Sequence, residues 1–280
     1  MTATPPPTVC VIVAAKDAAD TIGRAVRSAL DQPEATEVIV VDDGSSDNTA
    51  QAARDAAGAD SRLRVMVLDK NRGPAAARNR ALEAATADLV CILDADDFML
   101  EGRIGRMLAR FDNCDILADD LHYSNDDGRT IISRGLFQLG HDDEDFLTFE
   151  RFVLANITRA DKPRGELGFL KPLMRVSFLA EHSLTYDPDL RLGEDYAFYA
   201  QALAAGARFK IISGCGYVSV VRPNSLSGRH SLQDLAALHA FDVNLPRRVA
   251  LDPTQIRALR RHQRATRIKL AHRQVLQAKS

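Results

Sequence analysis

The sequence predicts an α/β fold in which a central, mostly parallel sheet is flanked by helices. Two observations support this prediction: four short apolar runs rich in β-branched residues recur in the first part of the chain, and segments with helical patterning lie between them. Apolar runs without polar alternation are typical of strands buried on both faces, as in a parallel sheet. A chain of 280 residues, 46% hydrophobic and 26% charged, suits one large α/β domain or two small ones that share a core.

The predicted elements alternate along the first part of the chain. Strands are predicted at residues 9–13, 38–41, 63–68 and 89–93. Apolar positions within residues 22–30 recur at helical spacing and predict the first helix. Alanine-rich residues 49–57 and 75–85 predict two more helices, the latter with Pro74 at its first turn. Strand and helix in alternation imply right-handed crossovers and a parallel sheet.

The second half of the chain is less regular. Residues 119–145 are polar and acidic, and we expect a long excursion there. Helices are predicted at residues 173–180 and 194–205, the second ending at Gly206. Two late strands are predicted, at residues 209–212 and 217–221.

Carboxylates follow the predicted N-terminal strands. Asp17 comes after the first strand, Asp42 and Asp43 begin the acidic turn after the second, and residues 94–97 come after the fourth. Because ligands of open α/β sheets bind at the carboxyl ends of strands, these acids are expected to meet at one edge. Each group alone has a simpler explanation, as a turn or a chance D-x-D, but their common position argues against coincidence.

Crowded carboxylates repel one another, and a divalent cation relieves that repulsion. Mg²⁺ prefers oxygen ligands and often binds through one or two carboxylates plus substrate phosphates. The sequence therefore predicts a metal–diphosphate site with room for a nucleoside. Arg78 is expected to help hold the phosphates, because it lies in the first turns of a helix, where anions are favoured.

Other classes of function are disfavoured. A Walker loop and a G-x-G-x-x-G motif are both missing from the sequence, which argues against ATP hydrolysis and classical dinucleotide binding. The net charge of −2 gives no reason to expect nucleic acid as a partner. The four cysteines form no C-x-x-C pair, which favours core thiols and a reducing compartment. Without a signal-peptide pattern in residues 1–7 or a long apolar stretch, we expect a cytoplasmic protein.

Several segments resemble glycosyltransferase family 2, whose members have the GT-A nucleotide-sugar fold, over residues 9 to about 230. They occur in the order and spacing of the family, at residues 37–49 (EVIVVDDGSSDNT), 71–79 (NRGPAAARN), 93–97 (LDADD) and 193–196 (GEDY). Residues 168–174 (GFLKPLM) and 191–196 (RLGEDY) further resemble bacterial exopolysaccharide transferases of the succinoglycan type.

The resemblance implies a metal-dependent, inverting transferase that uses Mg²⁺ or Mn²⁺. It would move a sugar from a nucleotide-diphosphate sugar, with a UDP-sugar favoured, to a hydroxyl of a glycan or lipid-linked oligosaccharide. The implied site residues are Asp42 or Asp43 at the nucleobase or ribose, Arg78 at the base or diphosphate, Asp94 at the ribose, Asp96 at the metal, and Asp195 as catalytic base supported by Glu194.

Asp17, His230 and the acids of the GEDY segment need separate comment. The family usually has an aromatic residue and Asn where this chain has Lys16 and Asp17, so Asp17 is included in the donor site without a stacking ring beside it. Some GT-A enzymes add a late histidine to the metal; His230 is the candidate here, and a surface histidine is the alternative. Acids in the first turn of a helix, as at Glu194 and Asp195, are also favoured by the helix dipole alone.

Domain limits are predicted from the same resemblance. Residues 8–235 would form a single GT-A catalytic domain, with a nucleotide-binding half at 8–118 and an acceptor-side half at 119–235. Residues 236–280 would form a helical, basic extension, because residues 256–279 carry eight Lys or Arg and no acid. This extension is interpreted either as a solvated helix that closes the domain or as a peripheral contact with anionic membrane at the inner face of the cell membrane.

Two other functions stay open on the sequence. A nucleotidyltransferase that makes a nucleotide sugar would bind similar ligands, but it would need a glycine-rich, basic loop after the first strand, and the chain has no glycine before Gly23. A non-catalytic sugar-nucleotide-binding protein is the second alternative, and the presence of both Asp96 and Asp195 speaks against it.

Overall fold

The computed structural model describes residues 5–125, 130–134, 136–137, 139, 143–157, 167–222 and 231–277. Over these residues a 10-stranded sheet carries helices on both faces. The strands are β1 (Val9–Ala15), β2 (Ala35–Asp42), β3 (Leu63–Val67), β4 (Leu89–Ile92), β5 (Phe98–Met99), β6 (Ile116–Ser124), β7 (Ile131–Arg134), β8 (Glu144–Leu147), β9 (Leu173–Arg175) and β10 (Phe209–Val220). The helices are α1 (Ala19–Leu30), α2 (Thr49–Ala57), α3 (Pro74–Ala84), α4 (Arg103–Leu108), α5 (Phe149–Ala155), α6 (Val176–Glu181), α7 (Glu194–Ala204), α8 (Leu232–Arg248) and α9 (Pro253–Gln277), with a short 3-10 helix at Leu167–Phe169.

The N-terminal strands β1 to β4 form a parallel part of the sheet. The strand order is β3-β2-β1-β4-β9-β6-β10-β5, with β7 beside β6 and β8 beside β10. β1 pairs in parallel with β2 and β4, so that Val11 lies between Val38 and Cys91. Nearly every residue of β1 and β4 is buried, which explains why these runs lack polar alternation. The predicted α/β fold, with its sheet flanked by helices, is confirmed.

Apolar side chains cover both faces of the sheet. One core contains Ile22 of α1 and Ile104 of α4. The other contains Phe152 of α5 and extends to Leu245 of α8 and Leu259 of α9. The two C-terminal helices therefore pack into the same core as the sheet. The predicted boundary at residue 235 falls inside α8, which begins at Leu232.

The prediction of one helix at residues 173–180 was wrong at its start. Leu173–Arg175 forms β9, and α6 begins only at Val176. β9 pairs antiparallel with both β4 and β6, and Leu173 and Met174 are fully buried there. An apolar run this short does not distinguish strand from helix, so pairing with the neighbouring strands decided the outcome.

Two further expectations about the second half need correction. The late strands at residues 209–212 and 217–221 are one strand, β10, whose register against β6 shifts on either side of Cys215. The first residues of the predicted excursion belong to β6, where Asp119 and Asp120 are buried. Their acidity suggested a loop, but Arg103 pairs with Asp119, and backbone N–H groups donate to Asp120.

α9 is long but strongly basic. Its Ala258, Leu259, His262 and Thr266 are buried against the rest of the protein. No helix in the described part of the chain has the length and apolar character needed to cross a membrane.

Candidate active site

The carboxyl ends of β1, β2 and β4 meet at one edge of the sheet. The N–H of Asp43 donates to the carbonyl of Ala15 at 2.8 Å, and the N–H of Leu93 donates to the carbonyl of Ile12 at 3.0 Å. These bonds align the loops that follow the three strands. The acids of these loops therefore lie at the same edge, as expected from parallel pairing.

Asp17 ties the loop after β1 to the loop after β2. Its Oδ1 accepts hydrogen bonds from the N–H of Ser46 at 2.7 Å and from the Ser46 hydroxyl at 3.0 Å. Its Oδ2 lies 2.6 Å from Lys16 Nζ. The bond from Lys16, followed by those from Ser46, lowers the pKa of Asp17 to about 2. Asp17 thus orders these loops as a carboxylate, and its contact with a donor stays a prediction.

Asp42 is buried at the end of β2, where it shapes the turn that follows. Its Oδ1 accepts a hydrogen bond from the N–H of Ser45 at 2.9 Å. Gly44 adopts a φ of 64°, and a Cβ at this position would lie 2.7 Å from the backbone carbon of Lys70. The glycine is therefore required by both the conformation and the close approach of the next loop.

The Asp43 carboxylate holds the loop that leads into α3. It accepts hydrogen bonds from the N–H of Arg72 at 2.7 Å and the N–H of Gly73 at 2.8 Å. Because α3 carries Arg78, this carboxylate helps to set where the guanidinium lies. The predicted contacts of Asp42 and Asp43 with a nucleobase or ribose stay predictions.

Arg78 is the cation on which three carboxylates converge. Its side chain is only 6% exposed, with Nη2 at 2.8 Å from Asp94 Oδ1. Nη1 lies 2.5 Å from Glu194 Oε1 and 3.2 Å from Asp195 Oδ1. Burial opposes its charge, but these carboxylates raise the pKa of Arg78 well above its ordinary value. Arg78 is thus a permanent cation at the centre of the site.

Tyr186 packs beneath this guanidinium. The Arg78 Cζ lies 5.4 Å from the centroid of the Tyr186 ring, which also stacks on Phe198 at 4.3 Å. The side-chain amide of Asn79, the residue after Arg78, donates to the carbonyl of Tyr186 and accepts from its N–H, both at 2.8 Å. Neighbouring residues of α3 therefore hold both the arginine and the ring on which it rests.

Lys171 is a second buried cation in the site. Its Nζ lies 2.9 Å from Asp94 Oδ2 and 2.6 Å from Asp195 Oδ2, and its side chain is 5% exposed. Burial opposes the ionised form of Asp94, but the charges of Lys171 and Arg78 outweigh it and hold the pKa of Asp94 at about 2. Asp94 is therefore a carboxylate gripped on both oxygens by cations.

The acids of the GEDY segment begin α7. Gly193 precedes them with a φ of 80°, a conformation that favours glycine. Burial raises the pKa of Glu194 in spite of the nearby Arg78. Asp195 is also buried, and in the described part of the chain no hydrogen bond reaches its Oδ1. Asp195 thus has one oxygen, Oδ2, held by a hydrogen bond from Lys171, and one, Oδ1, whose contact in the described residues is the ion pair with Arg78.

The remaining aspartates of the LDADD segment have different surroundings. Asp97 is buried and accepts hydrogen bonds from the Tyr217 hydroxyl at 2.7 Å and the N–H of Val220 at 2.8 Å. The same phenolic oxygen accepts from the N–H of Asp94 at 3.1 Å. Asp97 therefore anchors the segment to β10, and Asp96 is left with its side chain 44% exposed.

Asp96 is the acid best suited to a metal ion. Partial desolvation, followed by the charge of Asp94, raises the pKa of Asp96 above its ordinary value, so a cation bound there would relieve an unfavourable charge. Among the described residues no group of three or more His, Cys, Asp or Glu side chains is arranged to hold a metal. The chemistry fits a hard cation held by one carboxylate plus the phosphates of a ligand.

His230, the other predicted metal ligand, lies outside the described residues. Arg222, eight positions before His230 in the sequence, lies within the described residues, and its Nε is 3.9 Å from Asp96 Oδ2. The role of His230 stays a prediction.

Sequence reasoning did not assign a role to Lys171. The residue is part of the GFLKPLM segment, which drew attention only through its resemblance to exopolysaccharide transferases. A single lysine before a proline carries no periodicity or spacing that indicates chemistry. The resemblance of that segment was the one signal that pointed to this position.

The family model described as Glycosyl transferase family 2 matches residues 10–175 of the chain. The chain belongs to glycosyltransferase family 2. This match covers the sheet edge, Arg78, the LDADD segment and Lys171, so the site described above lies largely within the part that defines the family.

Two relatives extend the similarity of this glycosyltransferase along its length. The succinoglycan biosynthesis protein ExoU of Rhizobium meliloti (strain 1021) is 46% identical over 280 residues, which is 100% of this chain and 81% of the relative. The succinoglycan biosynthesis protein ExoO of the same strain is 38% identical over 249 residues, covering 88% of this chain and 70% of the relative. The predicted resemblance to succinoglycan-type transferases is confirmed.

Solved structures confirm the GT-A fold of this family 2 glycosyltransferase. S. aureus TarS 1–349 in complex with UDP-GlcNAc aligns with a TM-score of 0.71 and 20% identity, over 90% of this chain and 70% of that one. The mannosyltransferase PcManGT from Pyrobaculum calidifontis, in complex with GDP-Man and Mn²⁺, aligns with a TM-score of 0.63 and 20% identity, over 99% and 76%. At this identity the similarity concerns the fold.

Proposed function

We propose that this glycosyltransferase is metal-dependent and inverting, and that it transfers a sugar from a nucleotide-diphosphate sugar to an acceptor hydroxyl during assembly of a bacterial exopolysaccharide or other cell-surface glycan. One observation carries the proposal. Asp94, at the sheet edge where donors bind in open α/β folds, and Asp195, at the start of α7, are joined by the same two buried cations, Arg78 and Lys171.

Asp195 is proposed as the catalytic base. Attack on the anomeric carbon requires the acceptor hydroxyl to lose its proton to a group within hydrogen-bond reach. Lys171 holds Asp195 Oδ2, whereas no described residue donates a hydrogen bond to Oδ1. Attack from the side opposite the leaving diphosphate inverts the anomeric configuration. Glu194 shares Arg78 with Asp195 and so supports the charge balance of the base.

Asp96 would hold a Mg²⁺ or Mn²⁺ ion together with the phosphates of the donor. When bound, such an ion neutralises charge that develops on the leaving nucleotide diphosphate. Arg78 contributes a permanent positive charge to the same edge of the sheet. Asp94 is proposed to accept a hydrogen bond from a ribose hydroxyl as a carboxylate that Lys171 and Arg78 keep ionised.

A UDP-sugar is the favoured donor. TarS, which shares the fold, has been crystallised with UDP and with UDP-GlcNAc. The similarity to two succinoglycan biosynthesis proteins supports a glycan or lipid-linked oligosaccharide as the acceptor. A lipid-linked acceptor would place the enzyme at a membrane surface.

The outer face of α9 fits a peripheral contact with anionic lipid at the inner face of the cell membrane. Arg260, Arg261, Arg264 and Arg267, here called the outer arginine face, are exposed on the side of α9 opposite its buried residues. α9 contains no acidic residue. Each basic residue near anionic headgroups contributes about 1 kcal/mol to binding.

A donor screen tests the proposed function. Thermal shift with UDP-, GDP- and dTDP-sugars, each with Mg²⁺ or Mn²⁺, should single out a donor; a ligand at about 100 times its dissociation constant adds about 2.7 kcal/mol of stability. The identified donor is then incubated with a lipid-linked acceptor, and NMR of the product reports the anomeric configuration. Absence of stabilisation by every nucleotide sugar, or a product with retained configuration, would contradict the proposal.

A further inference from the structure

We infer that Lys171 is a positioning residue of the transfer reaction, whose ammonium group links the donor-side Asp94 to Asp195 and holds Asp195 as an oriented carboxylate. The inference rests on the proposed function, in which Asp195 is the base.

The position of Lys171 between two parts of the site is the first argument. Asp94 follows β4 at the sheet edge, and Asp195 lies in the first turn of α7. Lys171 Nζ lies 2.9 Å from Asp94 Oδ2 and 2.6 Å from Asp195 Oδ2. One ammonium group therefore sets the separation between the donor side of the site and the base.

The burial of Lys171 is the second argument. A buried ammonium is unfavourable unless carboxylates pair with it closely. Burial alone would lower the pKa of Lys171, but Asp195 and Asp94 raise it above its ordinary value. The lysine is therefore charged whenever the enzyme works, and it does not itself act as the proton acceptor.

The main chain of Lys171 is anchored as well. Arg103, whose side chain is fully buried, donates from Nη2 to the carbonyl of Lys171 at 2.6 Å and pairs with Asp119 of β6 at 2.7 Å. A Cβ at Gly216 would lie 2.4 Å from Arg103 Cγ, so the glycine leaves the space that the arginine occupies. Both ends of Lys171 are thus fixed before any ligand binds, as expected of a residue that orients another.

The division of the two Asp195 oxygens is the third argument. Lys171 bonds to Oδ2, and Oδ1 receives no hydrogen bond from a described residue although Arg78 Nη1 lies 3.2 Å away. The hydrogen bond that fixes the orientation of the Asp195 carboxylate therefore comes from Lys171, and Oδ1 has only the longer ion-pair contact with Arg78.

Lys171→Met tests the inference, with Lys210→Met as the matched control. Lys210 is also a buried lysine between two carboxylates, with Nζ 2.6 Å from Asp112 and 3.5 Å from Glu144, but it lies on β10 in a different ion-pair cluster. Both variants remove one buried ammonium group of the same type. Donor affinity is measured by calorimetry, and kcat is measured at neutral pH with saturating donor and acceptor.

Lys171→Met should lower kcat at neutral pH at least ~100-fold and weaken donor binding by less than about 10-fold, because the lysine acts through the base. The groups that face Asp195 are Lys171, Arg78, Glu194 and Asp94, with Tyr186 and Tyr199 in the charge environment they share. Lys210→Met should leave kcat within about 3-fold of the wild-type value and donor affinity unchanged.

Two further variants separate the possible failures. Lys171→Arg keeps the charge, so it should retain at least about a tenth of the wild-type kcat. It also gives the answer if Lys171→Met does not fold, because a loss of donor affinity equal to the loss of kcat in Lys171→Arg would overturn the inference. A kcat within about 3-fold of the wild-type value in a folded Lys171→Met would overturn it too. If Asp195→Asn is inactive in the same experiment, that failure concerns Lys171 alone, whereas near-normal turnover of Asp195→Asn overturns the proposed base.

Discussion

The guanidinium of Arg78 lies 2.5 Å from Glu194 Oε1, although 116 positions separate the two residues in the sequence. Arg78 sits on α3, next to the donor edge of the sheet, and Glu194 begins α7 on the other side of the site. This contact and the contact between Lys171 and Asp195 join the first turn of α7 to the rest of the site.

Arg78→Met should abolish detectable transfer and destabilise the protein by about 3 kcal/mol, because it removes the arginine from Glu194 and leaves Asp94 and Asp195 with only Lys171 as a partner. Urea denaturation and a transfer assay measure both effects. Arg80→Met is the matched control on the same helix, because Arg80 is 47% exposed and lies 3.5 Å from Glu83. The control should change stability by less than about 0.5 kcal/mol. Wild-type stability of Arg78→Met would contradict the central role of the guanidinium.

Asp195→Asn should abolish transfer while donor binding survives, because the donor contacts are predicted at the sheet edge. The amide cannot take a proton, but it keeps the shape of the side chain. Turnover is measured with saturating donor, and affinity by calorimetry with the same donor. Near-normal turnover, or loss of donor binding equal to the loss of activity, would refute the assignment of Asp195 as base.

Asp96→Ala should weaken donor binding in the presence of Mn²⁺ and leave metal-free binding unchanged. Asp96 is the exposed carboxylate of its segment, whereas Asp97 is engaged by Tyr217 and the N–H of Val220. Calorimetry with and without Mn²⁺ supplies its own control. Equal affinity of the variant and the wild type for donor with Mn²⁺ present would remove Asp96 from the metal site.

Asp242→Ala should destabilise the protein by about 2 kcal/mol or more. The carboxylate accepts a hydrogen bond from the Tyr196 hydroxyl at 3.0 Å and lies 2.6 Å from His262 Nδ1, so it joins α7, α8 and α9 in the core. Its removal leaves two buried polar groups without this partner. Gln233→Ala, at an exposed position of α8, is the control. If urea denaturation gives the same stability for both variants, the network does not hold the C-terminal helices in place.

Neutralising the outer arginine face by substitution of all four arginines with Gln should weaken binding to anionic vesicles by up to about 4 kcal/mol, at about 1 kcal/mol for each charge. Substitution is preferred to deletion of α9, because Ala258 and Leu259 are part of the core. Vesicle sedimentation at low salt measures the effect.

The matched control for this surface substitutes four arginines that are exposed elsewhere, Arg27, Arg54, Arg80 and Arg106. It should bind anionic vesicles as the wild type does. Equal binding by the control and by the variant of the outer arginine face would leave α9 with a packing role only.

Local sequence patterns were sufficient for the first part of the fold. The residues of β1 and β4 are apolar on both faces because helices cover both sides of a parallel sheet, and such runs are recognisable without knowledge of the partners. Parallel strands place their carboxyl ends at one edge, so the common position of Asp17, Asp43 and Asp94 at that edge also followed from the chain order.

Only the tertiary structure revealed β9, the continuous β10 and the second cation of the site. Leu173 and Met174 have no pattern that favours a strand until β4 and β6 lie on either side of them. Lys171 is one of seven lysines until folding buries its ammonium between two carboxylates. Periodicity reports which side of an element is buried, whereas the pairing of distant charges depends on how the elements pack and on the loss of solvent around them.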